Sequence, residues 1–225
     1  FKSGGRAGPS FYTDIPAGPL ALKNIADIYL YPNTVQIVKV TGAELREWLE
    51  RSAGIFNRID PAVTGEQPLI NPVFPAFNFD VIDGVTYRID VTQASRYDND
   101  GKLAAPGAHR ILDLAFAGQP IDESADFLVV TNNYRASGGG NFPGTGKTVV
   151  LAAPDLNRDV IVRHIVGRKA IEPKADGNWS LAPLPPGLDV TFLTSPAAAG
   201  KLPAGLNAEP AGDGPDGFAR YRLLA

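Results

Sequence analysis

The chain has 225 residues, 44% of them hydrophobic and 20% charged, with a net charge of −3. That suits one large globular domain or two small ones. The acidic balance argues against a partner that is a nucleic-acid polymer or an anionic membrane, both of which want a basic face, and no apolar run approaches the ~20 residues of a membrane span. Cysteine is absent, which excludes disulfides, thiol catalysis and thiolate metal sites while leaving the redox compartment open. Methionine is absent too, and the chain opens on Phe1. A natural translation product would begin with Met or a signal peptide, so a fragment of a longer protein is expected.

Residues 1–19 carry Gly4, Gly5, Gly8, Pro9, Pro16, Gly18 and Pro19 and read as loop. Residues 21–31 read as a short helix or the approach to a strand. Pro32-Asn33 signals a turn, and residues 34–40 read as a strand. Thr41-Gly42-Ala43-Glu44 fits a capping box, in which hydroxyl and carboxylate each serve the other residue's backbone N–H. Leu45, Trp48, Leu49 and Ala53 follow at helical spacing, and Gly54 is expected to close the helix in a left-handed cap. That predicts a helix over about 42–53. Residues 60–76 form a Pro-rich loop. Val85, Tyr87, Ile89 and Val91 alternate with polar residues, as in a half-buried strand. A polar loop fills 93–108, a strand is predicted over 110–116, and Gly118-Gln119-Pro120 turns the chain. Residues 127–131 form the next strand, running into a Gly-rich segment at 132–143 expected to be a tight, irregular loop. Asp155 is a candidate cap for a helix over about 156–166 closed by Gly167. Late strands are expected at 188–193 and 218–224, separated by an Ala/Gly/Pro loop. Helices and strands mix without a βαβ rhythm, which fits an α+β domain with a mixed sheet and flanking helices.

Three chemistries compete for the polar residues. Gly144-Thr145-Gly146-Lys147-Thr148 ends like a phosphate loop, but Asn141 stands where that motif needs its first glycine, and Val149-Val150-Leu151 is β-like where a helix must follow. A two-metal hydrolase site needs several His and Asp ligands. His109 and His164 are isolated, and His164 beside Val160 and Ile161 reads as a structural histidine. No Gly-x-Ser-x-Gly motif marks an acyl-transfer enzyme. The third chemistry is ligand binding. Tyr31 and Tyr134 each stand at a strand end beside a rigid turn, and two such rings can sandwich a flat base. Stacking supplies roughly 1–3 kcal/mol per base. Gly138 and Gly139 would let backbone approach the ligand, and Arg6 could meet a phosphate or carboxylate bidentately. Both tyrosines read equally as core or surface aromatics, the commoner use of the residue.

Several stretches carry a family resemblance. They are Phe1-Lys2-Ser3-Gly4-Gly5-Arg6, Leu30-Tyr31-Pro32-Asn33, Phe77-Asn78-Phe79-Asp80-Val81-Ile82-Asp83-Gly84-Val85-Thr86-Tyr87, Thr131-Asn132-Asn133-Tyr134-Arg135-Ala136-Ser137-Gly138-Gly139 and Asn178-Trp179-Ser180-Leu181-Ala182-Pro183. In order along nearly the whole chain, they resemble the C-terminal domain of the 5′-nucleotidase family. The nearest branch is the bacterial periplasmic 2′,3′-cyclic-nucleotide 2′-phosphodiesterase/3′-nucleotidases. The resemblance implies a specificity domain over residues 1–225, its beginning missing ahead of Phe1. It implies that two stacking aromatics match Tyr31 and Tyr134, a base-contacting Asn matches Asn33, and a phosphate-contacting Arg matches Arg6, with Gly138 and Gly139 in the substrate-binding loop. Related 5′-nucleotidases carry an Asp where Gly140 stands here, followed by Asn141. No catalytic residue, metal ligand or cofactor is expected in this chain. A divalent metal pair and the catalytic residues are expected on an N-terminal metallophosphoesterase domain, absent from this chain, that would be its partner. The nucleotide or nucleoside is the expected ligand and the periplasm the expected location. A non-catalytic ligand-binding or adhesion module with a decayed nucleotide site is the alternative.

Overall fold

The computed structural model describes residues 8–146, 148–201 and 205–224. In chain order the elements are α1 (Leu22–Ile28), β1 (Thr34–Thr41), α2 (Gly42–Ser52), β2 (Gln67–Pro68), β3 (Val85–Ile89), β4 (Ile111–Phe116), β5 (Gln119–Pro120), β6 (Asp126–Asn132), α3 (Asn133–Ala136), β7 (Val149–Leu156), α4 (Asn157–Arg168), β8 (Trp179–Leu181), β9 (Val190–Thr194), β10 (Ala208–Asp213) and β11 (Ala219–Leu223). The α+β class expected of the sequence is the one observed. The chain divides into two compact units. One comprises Phe1–Tyr12, Leu49–Gly118 and Trp179–Ala225, the other Thr13–Trp48 and Gln119–Asn178.

The second unit is built on an antiparallel sheet in the order β6-β1-β7. Val35 pairs with Asn132 and Thr41 with Asp126, while Thr34 pairs with Leu156. Antiparallel pairing therefore sets the start of β1 beside the ends of both neighbours. Buried Val38 and Val40 alternate with exposed Lys39 along β1, the period-2 pattern of a strand with one covered face. The core adds Leu45 and Trp48 from α2 and Phe142 from the loop after α3, with the Trp48 and Phe142 rings 5.9 Å apart. The capping box forms as the sequence predicts. The Thr41 N–H donates to Glu44 Oε2 at 2.9 Å, and the Glu44 N–H donates to Thr41 Oγ1 at 3.2 Å.

The first unit holds two sheets. Strands β10-β11-β9-β2 lie in that order, and β4-β3-β8 in theirs. Pairing is antiparallel except for β2 with β9 and β3 with β8, which are parallel. Val85, Tyr87 and Ile89 are buried on one face of β3. Phe56, Phe79 and Trp179 meet edge to face at 5.5 and 5.3 Å. A buried ionic network joins the elements. The fully buried Glu50 carboxylate accepts from the Arg110 and Ile111 N–H groups at 3.0 Å. The Arg110 side chain donates to the carbonyls of Ala53, Phe56 and Gln93.

Several expectations are corrected. Gly54 does not adopt a left-handed cap. The chain continues through a 3₁₀ turn at Ala53–Ile55, and Gly54 is there for space, since a Cβ would lie 2.9 Å from the Phe74 ring. Asp155 does not cap α4. It ends in β7 and pairs with Arg163 at 2.6 Å. Gly167 lies inside α4, which Lys169 closes at φ 63°. The 132–143 segment opens with a helical turn, α3, rather than irregular loop. The Ala/Gly/Pro loop contains β10, an edge strand where Pro210 is tolerated. A strand, β7, follows the Gly144–Gly146 turn where a phosphate loop requires a helix. Lys147 lies outside the described residues. His164 is exposed on α4 rather than packed as a structural histidine.

Candidate functional site

The β1 register decides what comes together. Tyr31 and Asn33 precede β1, Asn133 and Tyr134 follow β6, and Asn157 follows β7. All lie in the second unit, at one end of its sheet. Two bonds tie the strand ends. The Thr34 N–H donates to Asn133 Oδ1 at 3.0 Å, and the Asn157 N–H donates to the Asn33 carbonyl at 2.9 Å. The predicted residues Tyr31, Asn33, Tyr134, Gly138 and Gly139 thus share this end. Arg6 lies outside the described residues.

Both tyrosines are available to a ligand, Tyr31 at 58% exposure and Tyr134 at 45%. Tyr31 leaves α1 through Tyr29, whose N–H still donates to Ile25. Tyr134 is held from below. Asn132 caps α3 with its side chain, accepting from the Arg135 N–H at 2.8 Å, as asparagine does best at that position. The Tyr134 carbonyl accepts from the Gly139 N–H at 2.9 Å, closing the turn. The turn needs a left-handed Gly138, at φ 93°. Its neighbour Gly139 lies flat against the Tyr134 ring, where a Cβ would stand 2.6 Å from three ring atoms. No other residue type leaves the ring there.

Arg135 escaped the sequence reading. It is 3% exposed. Its guanidinium carbon lies 3.9 Å over the Phe142 ring and 5.6 Å from the Tyr134 centroid, and it donates to the Gly139 carbonyl. One cation thus braces the glycine turn and the tyrosine resting on it. Tyr29 and Asn157 were missed as well. The Asn33 and Asn157 side-chain amides lie 3.2 and 2.9 Å from the Tyr29 hydroxyl. No sequence signal joins Asn157 to Tyr29, 128 positions away. The cap at Asn132 was legible in principle, as an asparagine immediately ahead of a helical turn.

The arrangement suits a flat, polar-edged ligand, with aromatic faces, an amide beside one of them and a close backbone. Among the described residues no group of three or more His, Asp or Glu side chains is placed to hold a metal ion. No helix among them is long and apolar enough to cross a membrane.

Comparison with known proteins bears on the family and the fold. The family model described as the 5′-nucleotidase C-terminal domain matches residues 4–147. The trifunctional nucleotide phosphoesterase protein YfkN of Bacillus subtilis is 54% identical over 196 residues, covering 87% of this chain and 13% of YfkN. The 2′,3′-cyclic-nucleotide 2′-phosphodiesterase/3′-nucleotidase of Haemophilus influenzae is 47% identical over 206 residues, covering 88% of this chain and 31% of the relative. The protein of the same name from Salmonella typhimurium is 49% identical over 205 residues, covering 87% and 32%. This chain therefore spans a third or less of each of these relatives. In fold it is similar to the Thermus thermophilus 5′-nucleotidase precursor, with a TM-score of 0.55 at 18% identity over 76% of this chain and 29% of the other. A Staphylococcus aureus candidate 5′-nucleotidase solved with alpha-ketoglutarate gives a TM-score of 0.58 at 22% identity, over 72% and 30%.

Proposed function

The chain belongs to the 5′-nucleotidase family as its substrate-binding C-terminal domain, and from that premise we propose that it selects nucleotides for a 2′,3′-cyclic-nucleotide 2′-phosphodiesterase/3′-nucleotidase. In this reading Tyr31 and Tyr134 stack on the two faces of the nucleobase, Asn33 meets its edge, and Arg6 meets the phosphate. Hydrolysis belongs to an N-terminal metallophosphoesterase domain of the same protein, outside this chain. The metal pair of that domain supplies Lewis acidity at the phosphate and an activated water. This chain's part is proximity: it grips the base and so delivers the phosphoester. The same reading puts the protein in the periplasm, which osmotic-shock fractionation checks. The observation that carries the proposal is the single sheet end where two exposed tyrosines and Asn33 gather, one ring laid on Gly139.

The test is a calorimetric titration of adenosine 3′-phosphate into the full-length protein, stripped of metal so that nothing is hydrolysed. Saturable binding is expected, weakened roughly 5- to 150-fold by Tyr31→Ala and by Tyr134→Ala, the worth of one stacked base. Binding indifferent to both substitutions would refute the base sandwich. Absence of binding would favour a non-catalytic module whose nucleotide site has decayed.

A further inference from the structure

Asn33 is the middle of nothing by sequence, yet it sits at the end of a hydrogen-bonded chain. Its side-chain amide meets the Tyr29 hydroxyl at 3.2 Å, and the Asn157 amide meets the same hydroxyl at 2.9 Å. All three residues are half-buried. The Asn157 backbone also grips the Asn33 carbonyl at 2.9 Å, so the first residue of α4 holds Asn33 twice, once directly and once through Tyr29.

Counting protons gives the chain a direction. A tyrosine hydroxyl has one proton to give, and an amide has two N–H protons on one end and a carbonyl oxygen on the other. With both amide nitrogens turned to Tyr29, the hydroxyl accepts twice and its own proton has no acceptor among the described residues. One amide must therefore present its oxygen. The two ends of an amide are nearly the same shape, and the surrounding network decides which points where. The Asn157 oxygen is buried and meets no hydrogen-bond partner among the described residues. Turning Asn157 round would bury two N–H protons in that place instead. A buried N–H without an acceptor is the rarer fault, an under-satisfied carbonyl the more tolerable one. Asn157 therefore keeps its nitrogen on Tyr29, and Asn33 is the amide that turns.

We propose that Tyr29 and Asn157 are positioning residues that fix the polarity of Asn33. Asn157 Nδ2 donates to the Tyr29 oxygen, Tyr29 donates to Asn33 Oδ1, and the Asn33 N–H₂ group is left to donate to the ligand. This rests on the reading of Asn33 as the base contact. The base edge it selects is an acceptor, a carbonyl oxygen or an unprotonated ring nitrogen.

The test is the affinity of the full-length protein for adenosine, an uncharged nucleoside with no phosphoester to cut. Asn33→Asp keeps an acceptor for the Tyr29 proton but has none of its own to give. It is expected to weaken binding roughly 5- to 10-fold, to the level of Asn33→Ala. Asn157→Asp can only accept, so Tyr29 must donate to it and Asn33 must turn its nitrogen inward. It is expected to weaken binding by a similar factor, and to have no effect in an Asn33→Ala background, because it acts only through Asn33. A merely structural role would persist in that background. If the Asn157→Asp protein does not fold, Tyr29→Phe is read in the same two backgrounds with the same expectation. Full affinity in Asn33→Asp would overturn the polarity. Loss on Asn157→Asp or Tyr29→Phe that survives in Asn33→Ala would overturn the relay while leaving base binding intact. No adenosine binding by the unmodified protein would overturn the nucleotide reading and the relay with it.

Discussion

At the scale of single residues, Gly139 carries the site's tightest demand. Its φ is not in the left-handed region, so alanine is not strained there by backbone. The cost falls on the Tyr134 ring, which a Cβ would meet at 2.6 Å. Gly139→Ala is expected to push the ring out of its stacking position and weaken nucleoside binding roughly 10-fold, with the melting temperature moving by less than about 4 °C. Titration and thermal melting of the same sample check both. Tyr87, in the first unit, shows the opposite case. It is 4% exposed, and its hydroxyl has no hydrogen-bond partner among the described residues. Burial, with the nearby Asp80 charge, holds the phenol well above its ordinary value of 10.0. The folded chain then keeps a proton that the unfolded chain releases above pH 10, so Tyr87 costs stability as pH rises past that point. Tyr87→Phe is expected to be neutral or stabilising at pH 7. Above pH 10 the variant should gain on the parent by about 1.4 kcal/mol per pH unit, measured as the difference between their urea unfolding curves. A difference flat with pH would show that the phenol ionises freely in the fold.

At the scale of elements, what the sequence disclosed depended on whether the signal was local. Helix α2 was legible because its capping box is written in four consecutive residues and both of its bonds form. Strand β3 was legible because Val85, Tyr87 and Ile89 alternate in burial as they do in hydropathy. The ends of α4 were misread because its start carries no side-chain cap and Asp155 is engaged by Arg163. Its end is a lysine in a positive-φ conformation that sequence assigns to glycine. Strand β10 was hidden by Pro210 and Gly212, poor strand formers that pairing with β11 overrides. Helix α3 was too short for periodicity to register. The site divides the same way. Tyr31, Tyr134, Gly138 and Gly139 were legible as aromatics and glycines beside turns at strand ends, which the family resemblance reinforced, and Asn33 came from that resemblance alone. Arg135, Tyr29 and Asn157 act through burial and cross-chain bonds, which only the fold supplies.

At the scale of the whole molecule, the proposed function requires that a base held in one place speed chemistry in another. The candidate ligand residues that the structure describes all lie in the second unit, built from Thr13–Trp48 and Gln119–Asn178. The relatives are at least three times longer than the stretch this chain matches, leaving room for the hydrolytic domain that the proposed function requires. If the base is a handle, its binding energy must appear in the reaction rate, because interactions remote from the reacting atoms hold the phosphoester in place. The comparison is between adenosine 3′-phosphate and ribose 3-phosphate, the same sugar phosphate without a base, in the metal-loaded full-length protein. Tyr31→Ala is expected to lower kcat/KM for the nucleotide roughly 5- to 150-fold and to leave the base-free substrate unchanged. The unmodified protein should prefer the nucleotide by at least that factor. A fall on both substrates would mean that Tyr31 supports the fold rather than the base. Equal rates on the two substrates in the unmodified protein would mean that the base is not a handle at all, and that the exposed tyrosines at this sheet end serve some other flat ligand.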